Sequence, residues 1–198
     1  MENILLLAHT EADGSLGKPA LEALNTALTN ALALGAPLTV GLVGTATQAA
    51  ADQIAGAGVA RFLAVTGEAF GEPRYATDAA AAEALCRTAG CTLALAAGTS
   101  RWARALPGVA YRLGGRVDTH ATVFDVPTAV PNTTPAVTRW FYRQRMEAVL
   151  TRAQRPWVVL LDPGCVAQWT GPAGTATVGA GTVGTPAART TGTGDRAP

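Results

Sequence analysis

Residues 3–35, NILLLAHTEADGSLGKPALEALNTALTNALALG, decide how the rest of the chain is read. Asn3 to Ala8 is a continuous apolar run of strand length. The polar turn formers from His9 to Ser15 follow it, and Pro19 stands where a helix can begin without needing its missing N–H. From Ala20 to Leu34 the residues Leu21, Leu24, Leu28, Ala31 and Leu32 recur at helical spacing, and Gly35 supplies a left-handed C-terminal cap. The segment therefore reads as strand, loop, helix.

The same unit recurs downstream. Leu38 to Val43 (LTVGLV) is a second strand, followed by a helix capped by Thr45 and running to about Ala55. Arg61 to Val65 (RFLAV) is a third strand, and residues 77–89 an Ala-rich helix. Thr92 to Ala97 (TLALAA) is a fourth strand, and Ser100 to Leu113 a helix that contains Pro107. Strands that alternate with helices, and are apolar throughout, belong to a parallel sheet covered on both faces. The expected fold is a doubly wound, mostly parallel, three-layer α/β sandwich. Its ligand-facing loops would be those after the strands, 9–18, 44–47, 66–76 and 98–101.

Beyond Val117 the texture changes. Asp118–Val126, Thr128–Val130, Val137–Tyr142, Glu147–Thr151 and Pro156–Leu161 read as short strands with short connections, a C-terminal strand and hairpin extension of the sheet. Asp162 to Gly164 is a turn. Residues 170–198 hold eight Thr, seven Gly, six Ala and three Pro with no apolar period, which predicts a flexible tail or linker after a domain spanning 1–169.

Composition narrows the functional classes. Apolar residues make up 48% of the chain and charged ones 15%, so it can build a core and is no disordered acidic segment. No apolar run approaches the ~20 residues of a membrane-spanning helix. The net charge of +1 gives no overall reason to expect nucleic acid. That total conceals an uneven distribution: residues 1–98 carry four bases against nine acids, and residues 99–169 nine Arg against four acids. Fourteen of the fifteen bases are Arg, which suits planar two-pronged contacts but also follows from a GC-rich codon bias. Cys86, Cys91 and Cys165 are odd in number, and the start of the chain, with Glu2 and no basic residue before Ala8, lacks the pattern of a secretory leader. Reduced cysteines in a cytoplasm are expected. The Cys86–Cys91 spacing, with only His9 and His120 available elsewhere, completes no metal-ligand set.

Several motifs fail on context. Gly179 to Gly184 matches the dinucleotide fingerprint by letter, but weak Thr/Ala/Gly sequence precedes it and Pro186 follows, so no strand delivers it to a helix N-terminus. No phosphate-binding GxxxxGK[ST] loop and no Gly-x-Ser-x-Gly elbow occur. His9, beside Glu11, stands where a catalytic histidine could sit, and reads more simply as a loop histidine. No catalytic set is expected. Arg101, Arg104, Arg112 and Arg116 lie on or beside one helix, as a solvated face or a partner contact. Arg139, Arg143 and Arg145 interleave with Trp140, Phe141 and Tyr142. An edge hairpin accounts for that pattern, as does a protein interface, where Trp, Tyr and Arg are enriched. Base stacking is a third reading.

The order of these pieces resembles the N-terminal domain of the electron transfer flavoprotein alpha-subunit family. The residues that carry the likeness are Ile4–Ala8 followed by Gly14, Ser15 and Leu16; Gly58, Val59, Phe62 and Leu63; and Leu93–Thr99 followed by Pro107, Ala110 and Leu113. Asp118, then Arg139, Tyr142 and Ala148, then Trp157–Leu161 complete it, over about residues 1–169. Departures include His9 in place of the family's Glu, Pro107-Gly108 for its Pro-Arg, and Asp162 where an Arg is usual. The resemblance implies an electron-carrier component rather than an enzyme, working with a beta-type subunit. The family's flavin-binding domain would begin near residue 190, so the resemblance implies FAD in an assembled complex, with a flavin domain supplied separately, and no FAD-binding residues in this chain. Its implied docking residues are Arg101, Arg104, Arg139, Trp140, Tyr142 and Arg143. A stand-alone adenine-nucleotide-binding domain and a degenerate interaction module remain the alternatives.

Overall fold

A computed structural model describes residues 1–126 and 134–181. The expected strands Thr128–Val130, the last residues of the rejected fingerprint, and residues 182–198 of the expected tail lie outside these.

Nine strands form one sheet in the order β7-β6-β5-β8-β4-β1-β2-β3-β9. Their spans are β1 Ile4–His9, β2 Leu38–Gly44, β3 Arg61–Thr66, β4 Leu93–Ala97, β5 Arg116–Asp125, β6 Ala136–Phe141, β7 Met146–Thr151, β8 Trp157–Leu161 and β9 Val178–Ala180. All neighbouring pairs from β5 to β9 across the sheet are parallel, and β5–β6 and β6–β7 are antiparallel. The architecture is the mostly parallel, three-layer α/β sandwich that the alternation predicts.

The apolar runs feed two cores because successive strand residues face opposite ways. Ile4, Leu6, Leu93, Leu95, Trp157 and Val159 face the helix α1, Lys18–Leu34. Leu5, Leu7, Ala94, Ala96, Val158 and Leu160 face α3, Tyr75–Ala89, and α4, Ser100–Arg112. The short α2, Gln48–Gln53, shares the α1 side, starting after Thr47 rather than the expected Thr45. α1 meets the sheet through Leu24 and through Ala23, Ala27 and Ala31, whose small side chains allow close approach. Leu32, expected on that stripe, is 85% exposed because the row Leu24–Leu28–Leu32 drifts off the buried face. Gly35 closes α1 at φ 57°, as expected. Pro107 lies within α4, which runs on past it to Arg112.

Two departures shape the second half. β8 belongs by sequence to the hairpin extension, yet it inserts between β4 and β5 at the centre of the sheet. Residues 170–181, read from sequence as the start of a flexible tail, instead form a strap. Trp169 N–H donates to the Leu21 carbonyl at 3.1 Å, Gly174 N–H to the Asp52 carbonyl at 2.8 Å, and Ala176 N–H to Asp52 Oδ1 at 2.9 Å. The strap then adds β9 in parallel to β3, so Gly179 and Ala180 of the fingerprint match sit in an edge strand. Its low apolar content is no obstacle, because backbone and Asp52 hydrogen bonds hold it.

Candidate functional site

Two places in this fold gather the candidate functional side chains: the carboxyl ends of the parallel strands and the β5–β6–β7 extension. The first follows from connectivity. From β1 the chain moves to one side through β2 and β3, then crosses to β4 on the other side, so the loops after β1 and β4 diverge and leave a crevice. His9, Thr10, Glu11, Thr45, Thr99 and Arg101 line a cleft of about 310 Å³ there.

His9 is the last residue of β1, half-buried, with its ring 6.0 Å from that of Trp102. Its Nε2 lies 3.4 Å from Oγ1 of Thr99, the N-cap of α4. Burial, and then the Arg101 guanidinium, hold His9 below its ordinary pKa against the opposite pull of Glu11 and Asp78. His9 is thus a packed strand-end residue rather than the loop histidine of the simpler sequence reading.

Arg101 behaves as a structural cation. It is 6% exposed, and its Nε and Nη2 donate to Asp78 Oδ1 at 2.9 and 2.6 Å, with Asp78 wholly buried. Nη2 also donates to the Phe70 carbonyl at 2.5 Å. Asp78 Oδ2 in turn accepts from Arg74 N–H at 3.1 Å, so the pair ties α4, the start of α3 and the loop after β3 together. The expected contact of Arg101 with a partner is corrected by this burial: its donors face inward. Arg104, three residues on, is exposed. Arg112 is turned to Glu83 at 2.5 Å, which fastens α4 to α3.

The extension shows the same division. Asp118, 2% exposed, accepts from Arg152 Nε and Nη2 at 2.9 Å each and from Trp157 Nε1 at 2.9 Å. Burial alone would raise its pKa; the Arg152 fork and the indole N–H outweigh that and leave it below the usual carboxylate value. Arg139 stands 3.7 Å from Asp118 with its guanidinium 4.7 Å from the centre of the Phe141 ring. It supports the hairpin from beneath. Arg155 pairs with Glu2 at 2.6 Å. The apparent basic half is thus largely neutralised from within.

The outward side chains lie elsewhere. Register places Val123 beside Thr138, Thr138 beside Val149, and Trp140 beside Glu147, all on one face of β5, β6 and β7. Val149 is 69% exposed, Val123 41% and Trp140 39%. The hairpin tip presents Tyr142, Arg143 and Arg145, all exposed, with φ of 49°, 57° and 64° at Tyr142, Arg143 and Gln144. Of the six sequence-predicted docking residues, Trp140, Tyr142 and Arg143 come together here; Arg104 lies on α4, and Arg101 and Arg139 point inward. Val123 and Val149 escaped the sequence reading.

Among the described residues no group of three or more His, Cys, Asp and Glu side chains is placed to hold a metal ion, and no helix is long and apolar enough to cross a membrane. Comparison with curated proteins finds no match. The family model of the electron transfer flavoprotein domain matches residues 4–189, nearly the whole chain, and the chain belongs to the electron transfer flavoprotein domain family.

Proposed function

We propose that this chain is an alpha-subunit-like docking domain of a flavin-dependent electron carrier, which acts with a beta-type partner. The observation that carries the reading is the open β5–β6–β7 face. Val123, Trp140 and Val149 present apolar surface in register, and Tyr142, Arg143 and Arg145 rim it. Exposed apolar surface edged by Tyr and Arg is the composition of an interface core and its surround. Arg139 and Asp118 hold the hairpin in place from the opposite face.

FAD is assigned to the assembled complex. The strand-end cleft suits a flavin dinucleotide poorly. Its cation, Arg101, is already paired with Asp78, and Glu11 places a carboxylate where a pyrophosphate would need positive charge. The chain's own part is therefore to present a rigid surface.

Co-expression with a beta-type subunit, followed by size exclusion and an absorption spectrum, tests this. A complex with a flavin spectrum is expected, and Val149→Asp should abolish it while the variant stays folded. No complex with the unaltered chain would overturn the reading, and so would full association of Val149→Asp. Thermal stabilisation of the isolated chain by AMP or ATP would favour the nucleotide-binding alternative.

A further inference from the structure

The end of α3 brings two cysteines together. Gly90 adopts a left-handed conformation at φ 58°, its N–H donates to the Arg87 carbonyl at 3.1 Å, and Cys91 N–H donates to the Cys86 carbonyl at 3.2 Å. This pair of bonds is the Schellman ending, which brings the side chain three positions inside the helix end against the one two positions beyond it. Usually both are apolar; here both are thiols. Their environments differ. Cys86 is 3% exposed within the core beside Leu85 and Ala89, and Cys91 packs against the same core at its half-buried rim. Cys165 is exposed in the turn after β8, at the opposite end of the sheet.

We infer that Cys86 and Cys91 form a hydroperoxide-reactive dithiol, with Cys91 the attacking and Cys86 the resolving sulfur. Access assigns the roles, because Cys91 is the sulfur that solvent reaches. The neighbouring Cys86 also holds the Cys91 thiol below its usual pKa, while that proximity and then burial push Cys86 well above. Glu83 and Arg87 are the charged groups acting on Cys86.

The chemistry balances with hydrogen peroxide. Cys91 thiolate attacks one peroxide oxygen, the O–O bond breaks, and the departing hydroxide takes a proton to become water. Cys91 is then a sulfenic acid. The Cys86 sulfur attacks the Cys91 sulfur, the S–O bond breaks, and the hydroxyl leaves with the Cys86 proton as a second water. The pair is oxidised by two electrons to a disulfide and the peroxide is reduced. The backbone hydrogen bonds at the helix end fix the main chain of both residues. This inference does not rest on the docking reading.

Full-length protein carrying Cys165→Ser retains two thiols, and hydrogen peroxide is the probe. Both thiols should disappear together, the mass should fall by two hydrogens, peptide mapping should find residues 86 and 91 joined, and dithiothreitol should restore the start. In the unaltered chain this loss should be at least about tenfold faster than loss of Cys165. Cys91→Ser changes a rim position and should leave Cys86 unreacted. Two persistent thiols would overturn the inference. Cys91 advancing to sulfinic acid with Cys86 still free would overturn it too, as would cross-links between chains.

Discussion

Arg101→Met asks whether the strand-end guanidinium is there for partners or for the fold. The substitution keeps most of the buried stem and removes the charge. Asp78, wholly buried, would then keep only the Arg74 N–H at 3.1 Å, and the Phe70 carbonyl would lose its 2.5 Å donor. With exposures of 6% and 0% for the two side chains, solvent can do little to compensate. Leaving one partner of a buried pair alone costs about 3–5 kcal/mol. At a urea dependence of about 2 kcal/mol per molar, the unfolding midpoint should fall by roughly 1.5–2.5 M, read by tryptophan fluorescence and by circular dichroism. Adding Asp78→Asn removes the stranded charge. The double variant should therefore be more stable than Arg101→Met alone, by at least ~1 kcal/mol. A second readout is local: without the Arg101 charge, His9 should titrate at higher pH by NMR. A midpoint shift below about 0.5 M, or a double variant no more stable than the single, would refute the reasoning.

Gly44→Ala should destabilise by about 1–3 kcal/mol in thermal unfolding, because a Cβ there would lie 1.9 Å from Thr10 Oγ1, and Thr10→Ala should recover most of the loss. His9 has a folded pKa below its unfolded value, so the unfolded chain binds the extra proton. Its contribution to stability is complete above pH ~6.5 and is lost as pH falls below that, and His9→Gln should flatten this limb of a stability–pH curve. Asp118 is likewise depressed, so its contribution holds above pH ~4 and fades as the carboxylate protonates; Asp118→Asn should remove that acid limb and lower the melting temperature. Val149→Asp, at a 69% exposed position, should change stability by no more than about 0.5 kcal/mol, in contrast to its effect on association.

Much of the parallel half was legible because its two signals are local. Runs such as NILLLA cannot bury every residue except in a sheet covered on both faces, and Gly35 and Gly90 end helices by their own backbone freedom. What escaped is what depends on distant partners. The run WVVLL carries the same both-faces-buried signal as NILLLA, but its insertion between β4 and β5 follows from pairing with strands distant in sequence. The strap at 170–181 is held by Asp52 and by the Ala64 carbonyl, which no apolar period announces. At the site, a count of arginines gives charge but not pairing. Arg101, Arg139, Arg152 and Arg155 read alike with Arg143, and only the fold separates inward cations from outward ones. Val149 was hidden for the converse reason, since an apolar residue in a strand is expected to be buried.

The late arrival of β8 in the chain governs how the molecule must be made. β4 is complete by Ala97 and β5 by Asp125, yet neither has its inner neighbour until Trp157–Leu161 is synthesised. A nascent chain shorter than this carries two growing fragments, each with an unsatisfied strand edge, that of β4 apolar throughout, the condition that promotes wrong pairing and aggregation. Productive folding therefore awaits the last central strand, and a ribosome stalled between Asp125 and Trp157 would display a species prone to chaperone capture.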